Sequence, residues 1–273
     1  MDSAAPRRVA REAEQSTPFR WTARAGYAAN GVVHVLIGLI AVVVAFGGDG
    51  DTDQSGALML IAGAPLGFVA LWLIAITLWA LGIWHFLEGI LVRPASEDYR
   101  ELAAKWGGRV GSWGQAVIFV ALGVISASVA LGARVDAEEA AENASRGVLQ
   151  LPGGSIVLGL VGVGIGIGGI AFVVMGVRRT FRNKIDIPRH GVGRSLAGLG
   201  VVGFVAKGIA LIIVGILLLV AAFTTDPGAA GGLDGAVSAL LALDFGPWLV
   251  GAVGVGFIAY GVFCFFRARF ARF

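Results

Sequence analysis

Charged residues are scarce in this chain: Asp, Glu, Lys and Arg make up 14% of its 273 residues, whereas 57% are hydrophobic. A soluble globule of this length needs more polar side chains to cover its surface, so the composition excludes that class. Cysteine is nearly absent as well. The single Cys264 excludes an internal disulfide, and inside an apolar segment it is interpreted as a small buried residue.

Long polar segments are also missing, because no connection between apolar runs is much longer than about 25 residues. The chain therefore has no room for a separate water-exposed enzyme domain, and we expect it not to be an enzyme. What it has instead is six runs long enough to cross about 30 Å of hydrocarbon as helices. The predicted spans are Gly26–Phe46, Phe68–Val92, Gly111–Gly132, Ile156–Val177, Gly203–Phe223 and Pro247–Phe266.

One hairpin of two spans occurs three times. The first span of each copy opens at a glycine, and a polar residue follows four places later, as Asn30, Gln115 and Lys207. Internal repeats of this kind decide the fold class before local propensity does. The predicted segments are an N-terminal cytoplasmic tail at 1–20 and hairpin repeats at 21–95, 106–182 and 194–273.

Basic residues indicate the orientation of the hairpins. Eighteen of the 21 Lys and Arg lie in the N-terminal segment, the second and fourth connections and the C-terminal tail, while the other connections hold ten acids. The positive-inside rule then places both termini in the cytoplasm. The predicted fold is an all-α membrane protein whose six transmembrane helices form three parallel hairpin repeats in a pseudo-threefold bundle. The basic face suggests membrane lipid, or a protein partner, as a contact, and no nucleic acid.

The outer connections share a pattern too. Short apolar runs begin at Gly56, Gly147 and Gly235, and each ends near a proline. They are too short to span, so we expect short helices in the outer interface. The acidic stretch Asp136–Glu142 is interpreted as a solvated helical turn, with a cation site as the alternative.

These features resemble a known family. The pattern Arg-x-Gly-Tyr-x-x-x-Gly from Arg24 to Gly31, the Gly-Ala-Leu turn at 56–58 and a glycine-rich second helix ending in basic residues are similar to the bacterial membrane-protein family called domain of unknown function 1206. The resemblance implies a six-span protein of the bacterial cytoplasmic (inner) membrane and brings no biochemical activity. Copy two departs from the pattern at Ser112 and Ala116.

Four ionisable residues lie within the predicted spans: His34, His85, Glu88 and Lys207. Such residues are costly in lipid, so each is a functional hypothesis. His34 and His85 lie at similar depths, and we expect them side by side, with Asn30 and Glu88 extending two facing polar stripes. Packing histidines, proton or substrate handling, and haem ligation remain open for the pair.

A buried ion pair between Glu88 and Lys207 is a further expectation, with pairing of Glu88 to Arg93 and snorkelling of Lys207 to the interface as alternatives. If the first helices of the copies converge, Asn30, Gln115 and Lys207 form a polar ring at one level, whereas ordinary interhelical hydrogen bonds are the alternative. The candidate cluster is therefore Asn30, His34, His85, Glu88, Gln115 and Lys207, with no metal or cofactor expected.

The glycines of the fourth span, between Gly162 and Gly169, resemble a nucleotide-binding loop but lie in mid-span with no preceding strand. Close helix packing explains them better, and it predicts a tightly packed bundle centre. Three functions remain: a structural or interaction module of the membrane, which the tight packing favours; a small transporter or proton-coupled permease that uses the polar cluster; and a haem-binding membrane protein.

Overall fold

The structure is a computed structural model that describes residues 17–91, 99–184 and 192–270, and these residues form helices and short turns without any strand. Six helices are long and apolar enough to cross a membrane, which confirms the six predicted spans. They are α1 (Thr17–Ala45), α3 (Gly67–Leu91), α4 (Tyr99–Ala130), α6 (Gly154–Arg178), α7 (Val192–Thr224) and α9 (Gly246–Phe270); three shorter helices are α2 (Gln54–Ala62), α5 (Ala137–Leu149) and α8 (Gly232–Leu241).

The first helix of each hairpin is longer than predicted. Helices α1, α4 and α7 have 29, 32 and 33 residues, whereas α3, α6 and α9 have 25 each. The extra turns precede the apolar runs, where Ala, Leu, Arg and other good helix formers extend the helix into a more polar region. We call the end of the bundle with these extensions the basic end, and the opposite end, with α2, α5 and α8, the acidic end.

Two of the three short helices, α2 and α8, contain the predicted outer runs at Gly56 and Gly235, whereas in copy two the acidic stretch forms the helix and Gly147 lies in its last turn. Asp53 caps α2 by accepting a 2.9 Å hydrogen bond from the Gly56 amide, and Asp136 caps α5 in the same way. Helix α5 is largely exposed, as expected for the acidic stretch. Helix α2 instead inserts Ala57 and Leu58 into the main hydrophobic core against α1 and α3, so it closes the acidic end of the bundle.

The main packing pairs join neighbouring copies: α3 packs on α4, α6 on α7, and α9 on α1. Glycines face each other across these pairs. A Cβ built on Gly38 would lie 2.5 Å from the carbonyl oxygen of Gly254, and one built on Gly31 would lie 2.8 Å from that of Gly261. The backbones of α1 and α9 are therefore in direct contact, as small residues permit between membrane helices.

In the other two helix pairs, the contacts are made at the equivalent positions of the repeat. In α6 and α7, Gly169 faces Gly208 and Gly162 faces Gly215; a Cβ at Gly169 would lie 2.7 Å from the Gly208 oxygen. In α3 and α4, Gly82 lies against the Ala116 backbone. Close packing thus accounts for part of the glycine-rich α6, as predicted.

Hydrogen bonds at the acidic end link all three copies. The amide and hydroxyl of Thr52 donate to Asp234 Oδ1 at 2.9 and 2.5 Å, and the Ala137 amide lies 3.4 Å from the Ser55 hydroxyl oxygen. Burial raises the pKa of the Glu138 carboxyl, and the charge of Asp234 and a hydrogen bond to it raise it further. Glu138 therefore holds a proton more readily than an isolated carboxyl group would.

Candidate functional site

A cavity of about 220 Å³ lies inside the bundle, between five of the spanning helices. The prediction of a tightly packed centre is therefore wrong: the glycines bring neighbouring helices together in pairs and leave space where the pairs meet. The polar and charged residues that line the cavity are Tyr27, Asn30, His34, Gln54, Gln115, Lys207, Tyr260 and Arg267; the rest are apolar, and six of these are phenylalanine or methionine.

Equivalent positions of the three copies line the cavity in layers. Asn30, Gln115 and Lys207, which the sequence predicts as a polar ring, all border it. The next turn of the same helices contributes His34 from copy one, and Phe119 and Leu211 from the others. Only copy one thus adds a second polar layer.

His34 is buried and uses both of its ring nitrogens. Its Nδ1 lies 2.8 Å from the backbone oxygen of Asn30, and its Nε2 lies 3.0 Å from Lys207 Nζ. A carbonyl oxygen can only accept, so Nδ1 carries a hydrogen. The Nε2 of the neutral ring is then an acceptor, to which the Lys207 ammonium donates.

The Lys207 side chain lies over aromatic rings, with Nζ 4.4 Å from the ring centre of Tyr260 and 5.5 Å from that of Phe172. Such rings attract a cation through their negative faces. No carboxylate of the described residues lies within ion-pair distance of Lys207. The expected ion pair with Glu88 and the alternative of snorkelling are both wrong, because the lysine points into the cavity.

The second histidine has separate surroundings. His85 Nδ1 lies 2.9 Å from Glu88 Oε2, and the His85 ring stacks on Phe119 at 5.4 Å with a 14° interplanar angle. Ser112 also lies 3.4 Å from the same carboxylate oxygen. His85 and Glu88 do not line the cavity, and His34 makes its contacts elsewhere, so the predicted facing stripes are not formed. The alternative partner Arg93 lies outside the described residues.

This geometry bears on the haem hypothesis. Ligation of one haem iron by both histidines would need a free nitrogen on each of two facing rings, whereas both nitrogens of His34 are engaged and His85 contacts a different group. Among the residues that the structure describes, no group of three or more His, Cys, Asp or Glu side chains is placed to hold a metal ion.

Two features of this site were missed by the sequence reasoning: the place of Arg267 in the cavity lining and the contact between Cys264 and Asn30. Arg267 was counted with the basic tail, yet its guanidinium lies 4.3 Å from the ring centre of Tyr27 and donates to the Tyr27 hydroxyl at 3.1 Å. Cys264 is buried as expected, but its sulfur lies 3.6 Å from Asn30 Nδ2. The repeat alignment pairs Arg267 with Glu88, and a charge at that position in two copies was the available signal.

The bundle has an open seam. Helices α4 and α6, the two helices of copy two, have almost no backbone contact within the described ranges. Ile118 lines the cavity and is nevertheless 58% exposed. On α6, Gly164 and Gly168 continue the helical stripe of Phe172 and Met175, and a Cβ at either glycine would meet nothing within 4 Å. The cavity therefore reaches the lateral surface of the bundle between α4 and α6.

Comparison with known proteins agrees with the hairpin repeats. The model of the family described as Domain of Unknown Function (DUF1206) matches at residues 25–91, 110–179 and 202–271. An uncharacterized protein of Bacillus subtilis (strain 168), YxxB, is 27% identical over 246 residues, which cover 89% of this chain and 88% of that protein. No solved structure matches the chain significantly. Because the matches cover most of its length, the chain belongs to the DUF1206 family and carries three copies of the domain.

Proposed function

We propose that this chain is a non-enzymatic, proton-coupled permease of the bacterial cytoplasmic membrane, and that its central cavity carries a small solute together with a proton. The observation that carries the proposal is the 3.0 Å contact between Lys207 Nζ and His34 Nε2 inside the cavity. Ionisable residues that face the interior of a membrane bundle mark solute or proton pathways. The cavity also favours this role over a purely structural one.

The Lys207–His34 contact suits proton exchange. With the proton on Lys207, the ammonium donates to the neutral imidazole; with the proton on His34, Nε2–H donates to the neutral amine. The two states have the same total charge and the same hydrogen-bonded atoms. A proton can therefore pass between the side chains with no movement of heavy atoms, and a solute that stabilises one state selects it.

The proposed architecture is a pseudo-threefold ring of three parallel hairpins with both termini in the cytoplasm. Two observations support it: equivalent glycine or alanine positions form the contacts between copies, and described basic residues at the helix ends, such as Arg24, Arg178 and Arg269, lie at one end of the bundle. In this orientation the basic end of the cavity, at Arg267 and Tyr27, faces the cytoplasm, and α2 closes the opposite end.

Proton flux into proteoliposomes tests the permease. A trapped pH dye reports acidification under an imposed pH gradient and potential, without solute and with mixtures of sugars, amino acids and organic acids. We expect flux above that of empty liposomes, and at least about a tenfold loss in both His34→Gln and Lys207→Met, because each removes one partner of the exchange.

His85→Gln is the matched control, since His85 is a buried histidine at a similar depth that does not line the cavity. It should retain most of the flux. Equal flux in protein-free and protein-containing liposomes under every condition would refute the permease. Equal loss in all three variants would refute the assignment of the exchange to His34 and Lys207.

An interaction role is the second candidate, favoured by one surface feature. A cleft at the basic end, between α1 and α9, is lined by Trp21, Arg24, Phe265, Arg269 and Phe270. Arginine and interfacial aromatic side chains suit anionic lipid head groups or an acidic segment of a protein partner. Arg24→Gln combined with Arg269→Gln should then weaken binding to vesicles or nanodiscs containing anionic lipid while leaving proton flux unchanged; unchanged lipid binding would remove this candidate.

A further inference from the structure

The charged residues that line the cavity are all cations, and the Glu88 carboxylate, which interacts electrostatically with Arg267, lies outside the lining. Two cations, Lys207 and Arg267, line it, and none of the described lining residues is Asp or Glu. Lys207 donates to a neutral histidine and lies over aromatic rings, so its positive charge has no anionic partner within ion-pair distance in the described part of the chain. A buried ammonium without a counter-ion is costly, and a bound anion would offset that cost.

More than half of the lining residues are apolar, and most of these are aromatic. Phe172, Phe181, Phe204 and Phe263 line the same space as Lys207. At about 220 Å³ the cavity is smaller than the roughly 300–1,000 Å³ of typical ligand pockets, so it suits a molecule with one ring or a short alkyl chain. An inorganic anion would leave these rings without contacts.

We propose that the cavity binds a small amphiphilic monoanion, a carboxylate with a single aromatic ring or short alkyl chain, which enters from the bilayer through the seam between α4 and α6. This inference rests on the proposed permease and names the class of its solute. The carboxylate lies at Lys207 and Gln115, the apolar part lies among the phenylalanines, and Arg267 adds a second positive charge toward the basic end.

The anion also gives the proton pair a coupling mechanism. The shared proton gives the Lys207–His34 pair one positive charge. The single negative charge of the ligand offsets it, so the protonated cavity is one unit less positive with the ligand bound than without it. Loss of the proton removes the counter-charge of the anion and weakens its binding. Proton and carboxylate therefore bind and leave together, with no covalent step.

Binding of tritiated benzoate and hexanoate to the purified full-length protein at neutral pH tests the ligand class. Unlabelled benzenesulfonate, a permanent anion, should compete, whereas benzylammonium and benzyl alcohol should compete at least about tenfold less well. Lys207→Met should weaken benzoate binding at least about tenfold, and Lys207→Arg, which keeps the charge, should weaken it less.

Gln115→Leu is the control for Lys207→Met, because it also removes a polar group from the cavity lining but removes no charge. We expect Gln115→Leu to weaken benzoate binding less than Lys207→Met does. Benzyl alcohol binding and the thermal midpoint show whether each variant keeps a folded cavity. Absence of benzoate and hexanoate binding to the unmodified protein would overturn the proposal, as would equal competition by benzylammonium or unchanged affinity in Lys207→Met.

The entry route has its own test. Gly168→Phe places a large side chain on the seam-facing stripe of α6, and Gly198→Phe places the same side chain on α7; a Cβ at either glycine meets nothing within 4 Å. We expect Gly168→Phe to slow both association and dissociation of benzoate at least about fivefold, while Gly198→Phe leaves them unchanged. Equal rates in the two variants would overturn entry through the seam.

The flux and binding experiments can refute the permease and the anionic ligand independently of each other. Proton flux driven by a sugar or an amino acid, without binding of benzoate or hexanoate, would overturn the anionic ligand and leave the permease intact. Benzoate binding that depends on Lys207, without flux under any condition, would support the anion site and overturn the permease.

Discussion

Replacing Gly38 by Ala tests whether direct backbone contact joins the copies. A Cβ at this position would lie 2.5 Å from the Gly254 oxygen and 2.8 Å from both the Ile258 amide nitrogen and its side chain. Ordinary van der Waals contact begins at 3.4 Å, so α1 and α9 must separate locally by roughly 0.9 Å. Two of the neighbouring atoms are backbone, which cannot rotate away.

The expected cost follows from two opposing effects. Overpacking of a close contact costs about 1–3 kcal/mol, while replacing a mid-helix glycine by alanine favours the helix by about 0.5–1 kcal/mol. Gly198→Ala is the matched control, because it has the same propensity gain and a Cβ there meets nothing within 4 Å. The difference between the two variants isolates the overpacking energy, and we expect about 1–3 kcal/mol.

Equilibrium unfolding in mixed micelles of dodecyl maltoside and increasing SDS, followed by circular dichroism, measures this difference. Gly38→Ala should unfold at a lower SDS fraction than the unmodified protein, and Gly198→Ala at an equal or higher one. If the two alanine variants unfold together, the glycines of α1 and α9 do not set the spacing of the copies, and the packing argument is refuted.

Two further predictions concern carboxylates. Glu88→Gln should lower the free energy of unfolding by about 1 kcal/mol, because it replaces the charged partner of His85 at a site that is one-third exposed; an unchanged SDS midpoint would contradict this. The raised pKa of Glu138 means that the folded state holds its proton more tightly than the unfolded state. The stabilisation from Glu138 should therefore be lost as pH rises through the folded pKa, so the thermal midpoint should rise as the pH is lowered from neutrality towards the ordinary pKa of a glutamate, and less so in Glu138→Gln. A Glu138→Gln variant with the same pH profile as the unmodified protein would refute the second prediction.

Much of the fold could be predicted from the sequence because the hydrocarbon of a bilayer imposes a simple rule on any helix that crosses it. A helix must be apolar over the hydrocarbon thickness, so the length and position of each span appear directly in the composition of the run. The glycine contacts of α6 were predictable for a related reason: Gly162 and Gly169 are seven residues apart and thus lie on one face. The longer first helices were not, since their basic ends lack the apolar signal.

The candidate site was predicted only in part. The repeat alignment grouped Asn30, Gln115 and Lys207, and all three line the cavity, because equivalent positions in copies of one hairpin lie at equivalent depths. The pairing of charges was wrong, since depth alone cannot distinguish Glu88 from His34 as the neighbour of Lys207. Rotation of each helix about its axis decides which groups meet, and that rotation depends on packing with helices far away in the chain.

The sequence by itself determined that this is a chain of six apolar helices built from three related hairpins, because helical rise and hydrophobic burial are local properties. Only the tertiary structure decided which helices pair. The second helix of each copy packs against the first helix of another, which brings Lys207 to His34 across 173 positions. The cavity and its cationic lining exist only through these contacts, because each wall comes from a different part of the chain.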